Sequence, residues 1–400
     1  MFRFFSFTAL VCFLFLFSCE QDTEIGADLL LVKRSQISEV DRIVYNDTSY
    51  IDSCVFVLLE TSVESIVGEV TQLQTFDGNY FILDKQTRKV KVFDSTGKYL
   101  FDVGTIGGGP GEYTSINAFV VNPIEQKIAL FDPMRTAVHE YTLNGVFLQT
   151  VTHHQREFSH FQRLIYAGDV IYCFSGINWQ ENTTFSVISS NDYSVQDRIR
   201  QYPVKPNQQL GFSPMDNPFS LVDESLYYVS LFSDTIYKYE SGIEMPYMLI
   251  ETGKPNIPTD YLANRNLKSE PVQAFFDVWR DDNYSAGFTE IGKTDRFVLA
   301  GFKFGEAGYG GSIAGKPFYL YDKKKNECFF VNNQQSPDLG LPSFVEENRL
   351  IKVWTPDEID SYIELVKEGN ITAPEYIKSL LSEYDPEYHN PILIIYYMKN

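Results

Sequence analysis

Internal repetition is the feature that most narrows the folds open to this 400-residue chain. Residues 80–84, Tyr-Phe-Ile-Leu-Asp, are similar to residues 128–132, Ile-Ala-Leu-Phe-Asp, and the two aspartates lie 48 residues apart. Residues 92–100 align with residues 140–148 at the same offset. Two separate motifs rarely share one spacing by chance. A period of roughly 40–50 residues with four short strands per unit is typical of a β-propeller.

Alternating apolar residues and turn residues divide each unit into strands. In the first unit, Gly97 follows Asp94-Ser95-Thr96, where a hairpin turn needs a positive φ. The predicted strands of units one and two are 70–75, 80–84, 88–94 and 98–103, then 116–122, 127–131, 136–142 and 146–151. Those of the weaker units three to five are 161–166, 169–175, 183–190 and 195–201; 225–231, 234–240 and 245–250; and Phe288, 297–304, 317–322 and 327–331.

A sixth unit needs both ends of the chain. Strands are predicted at 348–354 and 391–398, and the strand at 54–60 precedes unit one without a partner. An open ring would expose two bare sheet edges, which invite aggregation. We therefore expect residues 54–60 to form the outermost strand of the last blade. The predicted fold is all-β, a six-bladed β-propeller closed by its N- and C-terminal strands, with short helical insertions.

Two of those helical insertions carry start signals. Thr355-Pro356-Asp357-Glu358 is a capping box with proline at the first helical position, and its helix should run to about Lys367. Thr372-Ala373-Pro374-Glu375 repeats the pattern, for a helix that ends near Ser382. Residues 259–276 are also predicted to be helical. Such insertions change the surface that the blades expose, and binding or catalytic residues often lie in such segments.

The N-terminus predicts export and a lipid anchor. Arg3 is the only charge in residues 1–18, and the apolar run that follows it is short for a membrane-spanning helix, so it indicates a signal peptide. The end of this run, Leu16-Phe17-Ser18-Cys19, resembles the lipobox of bacterial lipoproteins, although Phe17 is bulkier than usual. Diacylation of Cys19 would supply two buried chains, enough for stable anchoring. The alternative is ordinary secretory cleavage with an incidental cysteine.

These features predict a signal peptide over residues 1–18, an acidic tether and linker over 19–50, and the propeller over 51–400. The acidic residues 20–24 resemble a surface-export signal of Bacteroidota lipoproteins, so we expect an outer-membrane lipoprotein exposed at the cell surface. The net charge of −20 repels nucleic-acid phosphates and anionic headgroups. We therefore expect no nucleic-acid partner and a membrane contact through the lipid anchor only.

Cysteines and histidines indicate neither a metal site nor a cofactor. Cys54, Cys173 and Cys328 lack CxxC spacing, and each lies in an apolar run, so we predict three small buried hydrophobic side chains. The five histidines show no metal-ligand spacing, and the chain contains no nucleophile elbow and no HExxH motif. We assign no catalytic residue, no metal and no cofactor.

Several motifs together resemble a known family. Ile-Leu-Asp at 82–84, Phe-Asp-x-x-Gly-Lys at 93–98 and the glycine-rich run 104–113 occur in the order seen in six-bladed β-propeller lipoproteins of Bacteroidota, relatives of NHL-repeat propellers. Residues 56–61 and 390–394 match the ends of that family. The resemblance implies a fold and a location, and it implies no shared activity.

The glycine-rich run and the repeated aspartates are predicted to be structural. A phosphate-binding loop needs Gly-Lys-Ser/Thr before a helix, whereas Gly111-Glu112 leads into a strand. We expect a tight connection between blades, with Glu112 near a propeller face as a candidate ligand residue. Asp84 and Asp132 should accept hydrogen bonds from backbone amides in the following turn. A calcium or catalytic role would require them to converge on the central channel.

Two aromatic residues complete the candidate ligand site. Trp179 lies in a polar loop, where it could stack on a sugar ring or pack between blades, and Tyr309 lies in a Gly-Tyr-Gly-Gly loop. Trp354 is expected to pack between blades. The leading function is a surface-anchored binding module for a glycan, peptide or partner protein. The alternatives are an enzyme (hydrolase, lyase or lactonase) that uses the central pocket, and a structural component of an envelope complex.

Overall fold

The protein is a six-bladed β-propeller, as the repeats predict. The computed structural model describes residues 29–153, 161–178, 183–201, 217–230, 233–256, 283–285, 287–301, 317–332 and 337–400. Within these residues, six sheets of four or five strands succeed one another along the chain. The predicted helix at 259–276 lies outside the described residues.

The strands of the first half of the chain are β1 (Leu30–Val32), β2 (Ile37–Val40), β3 (Ile51–Leu58), β4 (Val70–Phe76), β5 (Asn79–Asp84), β6 (Lys89–Phe93), β7 (Tyr99–Val103), β8 (Thr105–Ile106), β9 (Glu112–Tyr113), β10 (Ala118–Asn122), β11 (Lys127–Asp132), β12 (Ala137–Thr142), β13 (Phe147–Thr152), β14 (Arg163–Ala167), β15 (Val170–Asn178), β16 (Thr183–Ser189) and β17 (Val195–Gln201). Those of the second half are β18 (Phe219–Val222), β19 (Ser225–Val229), β20 (Thr235–Glu240), β21 (Ile243–Ile250), β22 (Glu290–Lys293), β23 (Phe297–Gly301), β24 (Phe318–Asp322), β25 (Glu327–Val331), β26 (Phe344–Glu346), β27 (Arg349–Trp354) and β28 (Ile392–Met398).

Each blade is an antiparallel sheet that runs from an inner to an outer strand. Blades one to five begin with β4, β10, β14, β18 and β22, and each continues through the next three strands of the chain. Blade six has the order β26-β27-β28-β3, with Leu58 opposite Ile392 and Phe56 opposite Ile394. This pairing confirms that the N-terminal strand closes the ring as the outermost strand of the last blade.

Residues 29–50, called the strap below, do more than link the anchor to the propeller. Strand β1 pairs in parallel with β21, and β2 pairs in parallel with β25, so that blades four and five each gain a fifth strand. These residues belong to the segment 19–50 predicted to be a tether and linker. Strands of three and four residues are too short to show the alternation by which the longer strands were identified.

The two faces of the propeller differ in the length of their loops. One face, named the connection face, carries the loops that join the second strand of each blade to its third strand. It also carries the connections from each blade to the next. On the other, the hairpin face, tight turns join first to second and third to fourth strands. Several of these turns use residues with positive φ, among them Gly78, Glu224 and Gly242. Short turns of this kind repeat from blade to blade, so the hairpin face differs little in loop length between blades.

Two helices lie between β27 and β28, on the connection face: α1 (Pro356–Lys367) and α2 (Glu375–Leu381). The predicted capping box of α1 is confirmed, since Thr355 Oγ1 accepts from Glu358 N at 3.3 Å and the Glu358 carboxylate accepts from Thr355 N at 3.2 Å. The second predicted helix is confirmed, but its predicted capping box is wrong. The N-cap residue of α2 is Pro374, which makes no side-chain capping hydrogen bond. No helix in the described ranges is both long and apolar enough to span a membrane.

The core lies between neighbouring blades. Trp354 is fully buried in a core cluster with Phe297 and Leu320 of blade five, which confirms its predicted packing between blades. It also meets the Tyr362 ring edge-on, with centroids 5.5 Å apart. Cys173 and Cys328 are buried, as expected. Cys54 is only half-buried, because it lies on β3, the outermost strand of its blade. These three thiols are free.

Candidate functional site

Two glutamines from blade one occupy the central channel. The inner strands turn unpaired backbone groups toward the axis, and these groups need partners. Gln72 Nε2 donates to Phe119 O at 2.8 Å and to Leu164 O at 2.9 Å, and Gln74 Nε2 donates to Leu164 O at 2.7 Å. The glutamine oxygens accept from Phe119 N and Val121 N. Both amides are buried and join blades one, two and three.

Further polar side chains bond main-chain groups of other blades. Arg163 of blade three donates to Ser343 O, at the start of blade six, at 3.2 Å. Asn217 Nδ2 donates to Ile291 O at 2.9 Å, and Ile291 N donates back to Asn217 O at 2.8 Å. The side chains of Gln72, Gln74, Arg163 and Asn217 therefore bond main-chain groups of other blades.

Glu112 lies on the connection face, between blades one and two, and it is half-buried. Its carboxylate accepts a hydrogen bond from Gly109 N at 2.6 Å, and Arg135 holds the loop by donating to Glu112 O and Gly107 O, each at 3.0 Å. A Cβ at Gly107 would lie 2.1 Å from the carboxylate, so a side chain at this position would displace the Glu112 carboxylate. The glycine-rich run is a connection between blades, as predicted, and a ligand role for Glu112 stays a prediction.

Asp84 and Asp132 have the predicted structural role. Asp84 Oδ1 accepts from Glu69 N at 2.9 Å and its Oδ2 accepts from Thr87 Oγ1 at 2.6 Å. Asp132 Oδ2 accepts from Thr114 N at 2.6 Å. Each carboxylate is fully buried and fixes the chain segment that enters its own blade. The described residues contain no group of three or more His, Cys, Asp or Glu side chains placed to hold a metal ion.

Two other buried carboxyls on the connection face are protonated more readily than usual. Asp234 accepts from Ser285 Oγ at 2.5 Å and from Thr252 Oγ1 at 2.8 Å. Asp338 lies 3.4 Å from the Arg42 guanidinium. Burial raises the pKa of both carboxyls to about 6, against the opposing effect of these partners.

A cavity of about 410 Å³ opens between the two helices of the insertion. We call it the helical cavity, and its lining is Asp360, Tyr362, Ile363, Val366, Lys367, Ala373, Lys378, Leu381, Tyr384, Asp385 and Pro386. Aliphatic groups of both helices face each other across it, and charges of both signs stand beside them. The cavity thus offers an apolar interior together with polar groups that could fix the orientation of a ligand.

The tyrosines of the helical cavity tie it to the propeller. Tyr362 packs on the buried Trp354 of β27, and the Tyr384 hydroxyl donates to Asn390 O at 2.8 Å, just before β28. Burial raises the pKa of Tyr362 to about 12, so its hydroxyl stays protonated at neutral pH. The cavity wall is therefore fixed to both strands that bracket the insertion.

The strand order shows on which face of the propeller the loops with the predicted ligand residues begin and end. Trp179, Tyr309 and Cys19 lie outside the described residues. Strands β15 and β16 bracket Trp179, and β23 and β24 bracket Tyr309; each pair is the second and third strand of its blade. The described ends of both segments therefore lie on the connection face, which also carries Glu112 and the helical cavity. The sequence located the two helices by their start signals but gave no sign of the cavity between them.

Comparison with solved structures shows the same fold in a protein from Bacteroides fragilis. The crystal structure of a Bacteroides fragilis protein described as exported is 16% identical, with a TM-score of 0.71, over 93% of this chain and 100% of that chain. A DUF4221-family protein from Bacteroides vulgatus is 12% identical, with a TM-score of 0.48, over 87% and 97%.

Sequence comparison gives the family. No curated protein sequence matches the chain significantly. The domain of unknown function DUF4934 matches residues 34–397, a range that runs from the strap to β28 and so takes in all six blades. The chain therefore belongs to the DUF4934 family.

Proposed function

We propose that the protein is an exported binding module that holds its ligand on the connection face. The observation that carries the proposal is the placement of its non-repeating segments. The helical cavity and the described ends of the loops that carry Trp179 and Tyr309 share this face. The central channel, by contrast, is occupied by Gln72 and Gln74, which bond main-chain groups.

Two observations support action outside the cell. The Bacteroides fragilis relative is described as exported. This chain has an apolar run that ends in Leu16-Phe17-Ser18-Cys19, the pattern of a lipidated cysteine. A diacyl anchor at Cys19 would hold the propeller at the outer membrane, and we propose that it faces outward.

The chemistry of the helical cavity points to a group with an apolar body and a polar edge. Ligand sites of small molecules range over roughly 300–1,000 Å³, so this volume is near the lower end and suits one unit of a larger ligand. Ile363 and Leu381 would contact the apolar part, and Lys367 or Asp385 would bind the polar part. A sugar unit of a glycan or a side chain of a peptide or partner protein has this character. Trp179 and Tyr309 would contact neighbouring units.

The test combines a glycan array with a pull-down from the native cell envelope. Leu381→Trp fills the helical cavity, and Trp179→Ala and Tyr309→Ala remove the aromatic contacts. We expect each variant to weaken capture at least about tenfold, with the melting transition unchanged. Tyr388→Ala is the matched control, since this tyrosine of the same insertion is 68% exposed and does not line the cavity. Unchanged capture by all three variants would disprove ligand binding on this face.

A further inference from the structure

The rim of the propeller contains sheet edges of two kinds. Every outermost strand has one side on which backbone N–H and C=O groups can pair with a further strand. In blades four and five, that side is covered, because β1 adds to β21 and β2 adds to β25. In the part of the chain that the structure describes, the outer sides of β3, β7, β13 and β17 have no such cover.

Among these four uncovered strands, β13 alone has no charged residue. Its sequence is Phe-Leu-Gln-Thr-Val-Thr, without charge or proline, whereas β3 contains Asp52, β7 contains Asp102, and β17 contains Arg198. Charged residues and prolines are the usual protection of an edge strand against pairing. The neighbouring apolar side chains are also open to solvent, with Val146 62% and Leu148 49% exposed. The rim of blade two therefore lacks the features that normally keep another strand away.

The hydrogen-bond alternation of β13 identifies the groups on its outer side. His153 N donates inward to Thr136 O at 2.8 Å, at the end of the β12–β13 ladder. Thr152 stands opposite Ala137 and Thr150 opposite His139. Inward and outward groups alternate along an antiparallel strand, so the main-chain groups of Thr150 and Thr152 point away from the sheet. They can accept and donate to an added strand.

We propose that the outer edge of β13 binds an extended segment of a partner polypeptide, which adds to blade two as a fifth strand. The chain itself shows the geometry, since β1 and β2 add in parallel to the equivalent strands of blades four and five. In β1, Leu30, Leu31 and Val32 each stand opposite an apolar residue, and the uncharged β13 calls for a segment of the same character. A second copy of this chain fits less well, because two bodies of charge −20 repel each other.

Hydrogen–deuterium exchange of the full protein tests this proposal. The probe is a synthetic peptide of residues 29–40, which contains both natural fifth strands; blades four and five keep their own copies. At saturating peptide, we expect amide exchange in residues 147–152 to slow at least about tenfold, with β7 and β17 unchanged. The Leu381→Trp variant, which fills the helical cavity, should show the same protection, so the two proposals can fail separately.

Two substitutions at one position separate strand addition from other contacts. Thr152→Pro removes an outward N–H and leaves the ladder to β12 intact, since proline is tolerated where the N–H faces solvent. We expect it to abolish the protection, whereas Thr152→Val, which keeps the N–H, should preserve it. Peptide protection that survives Thr152→Pro, or no protection of β13 at all, would overturn the proposal. So would a wild-type dimer in sedimentation that Thr152→Pro dissociates, because a second copy would then occupy the edge.

Discussion

Asn390 joins the two ends of the propeller, and its removal should weaken ring closure. The side chain is 1% exposed, and its Nδ2 donates to Glu60 O at 2.7 Å and to Ser65 O at 2.9 Å. Its Oδ1 accepts from Val67 N at 2.7 Å. These partners lie in the connection from β3 to β4, so one amide fastens the start of blade one to the closing blade.

The size of the effect follows from the groups that Asn390→Ala would leave behind. A hydrogen bond contributes about 1 kcal/mol net, and a buried group left without a partner costs about 1–3 kcal/mol. Three bonds are lost, and Val67 N and Ser65 O are in buried contacts. We expect the free energy of unfolding to fall by about 3–5 kcal/mol. Asn390→Asp should be no milder, because a carboxylate would face two carbonyl oxygens.

Urea unfolding followed by circular dichroism measures this change. Asn370→Ala is the matched control, since that amide makes one exposed bond to Glu368, and its loss should change stability by less than about 0.5 kcal/mol. If Asn390→Ala lowered the free energy of unfolding by less than 1 kcal/mol, the closing contact would not be the strong link that its geometry indicates.

Three further predictions concern other parts of the chain. Deletion of residues 390–400 removes β28 and leaves β3 without a partner, so we expect cooperative thermal unfolding to be lost; an unchanged transition would refute the closure scheme. Asp234 and Asp338 have folded-state pKa values of about 6, above that of an unfolded aspartate, so the contribution of these two carboxyls to stability is fully present below about pH 4 and is lost as the pH rises through 6, by up to about 2–3 kcal/mol per carboxyl. Asp338→Asn should reduce that slope in urea titrations between pH 4 and 8, and an unaltered slope would contradict the assignment. Cys19→Ala should abolish fatty-acid labelling of the protein and its recovery in the membrane fraction, and unchanged labelling would count against the lipid anchor.

The parts of the fold that the sequence predicted are those set by local chemistry. Asp84, Asp132 and the Thr355–Glu358 capping box lie within a few residues of several of their hydrogen-bond partners, so short sequence motifs suffice to predict their roles. The closing strand β3 was also predicted, because a bare ring edge has a known physical cost.

The parts that escaped prediction depend on distant partners. Strands β1 and β2 have three and four residues, and contacts of the strap such as that between Arg34 N and Glu251 join positions 217 residues apart. The first strand of blade four, β18, has only four residues. For the candidate site, the helical cavity arises from the mutual packing of α1 and α2, and start signals locate helices without giving that packing. Trp179 and Tyr309 remain predictions from residue type and loop position.

The strap and the closing strand impose an order on how the molecule can be made. Residues near the N-terminus leave the ribosome first, yet their partners come late: Thr61 bonds Asn390, 329 residues further along the chain. Strand β1 must therefore stay unpaired until blade four has been synthesised, β2 until blade five, and β3 until the last strand of blade six. Contacts this distant in sequence slow folding and prolong the exposure of open edges. A nascent chain stopped before β28 would be an open ring in which β3 has no partner, so the ring closes only once β28 has been synthesised.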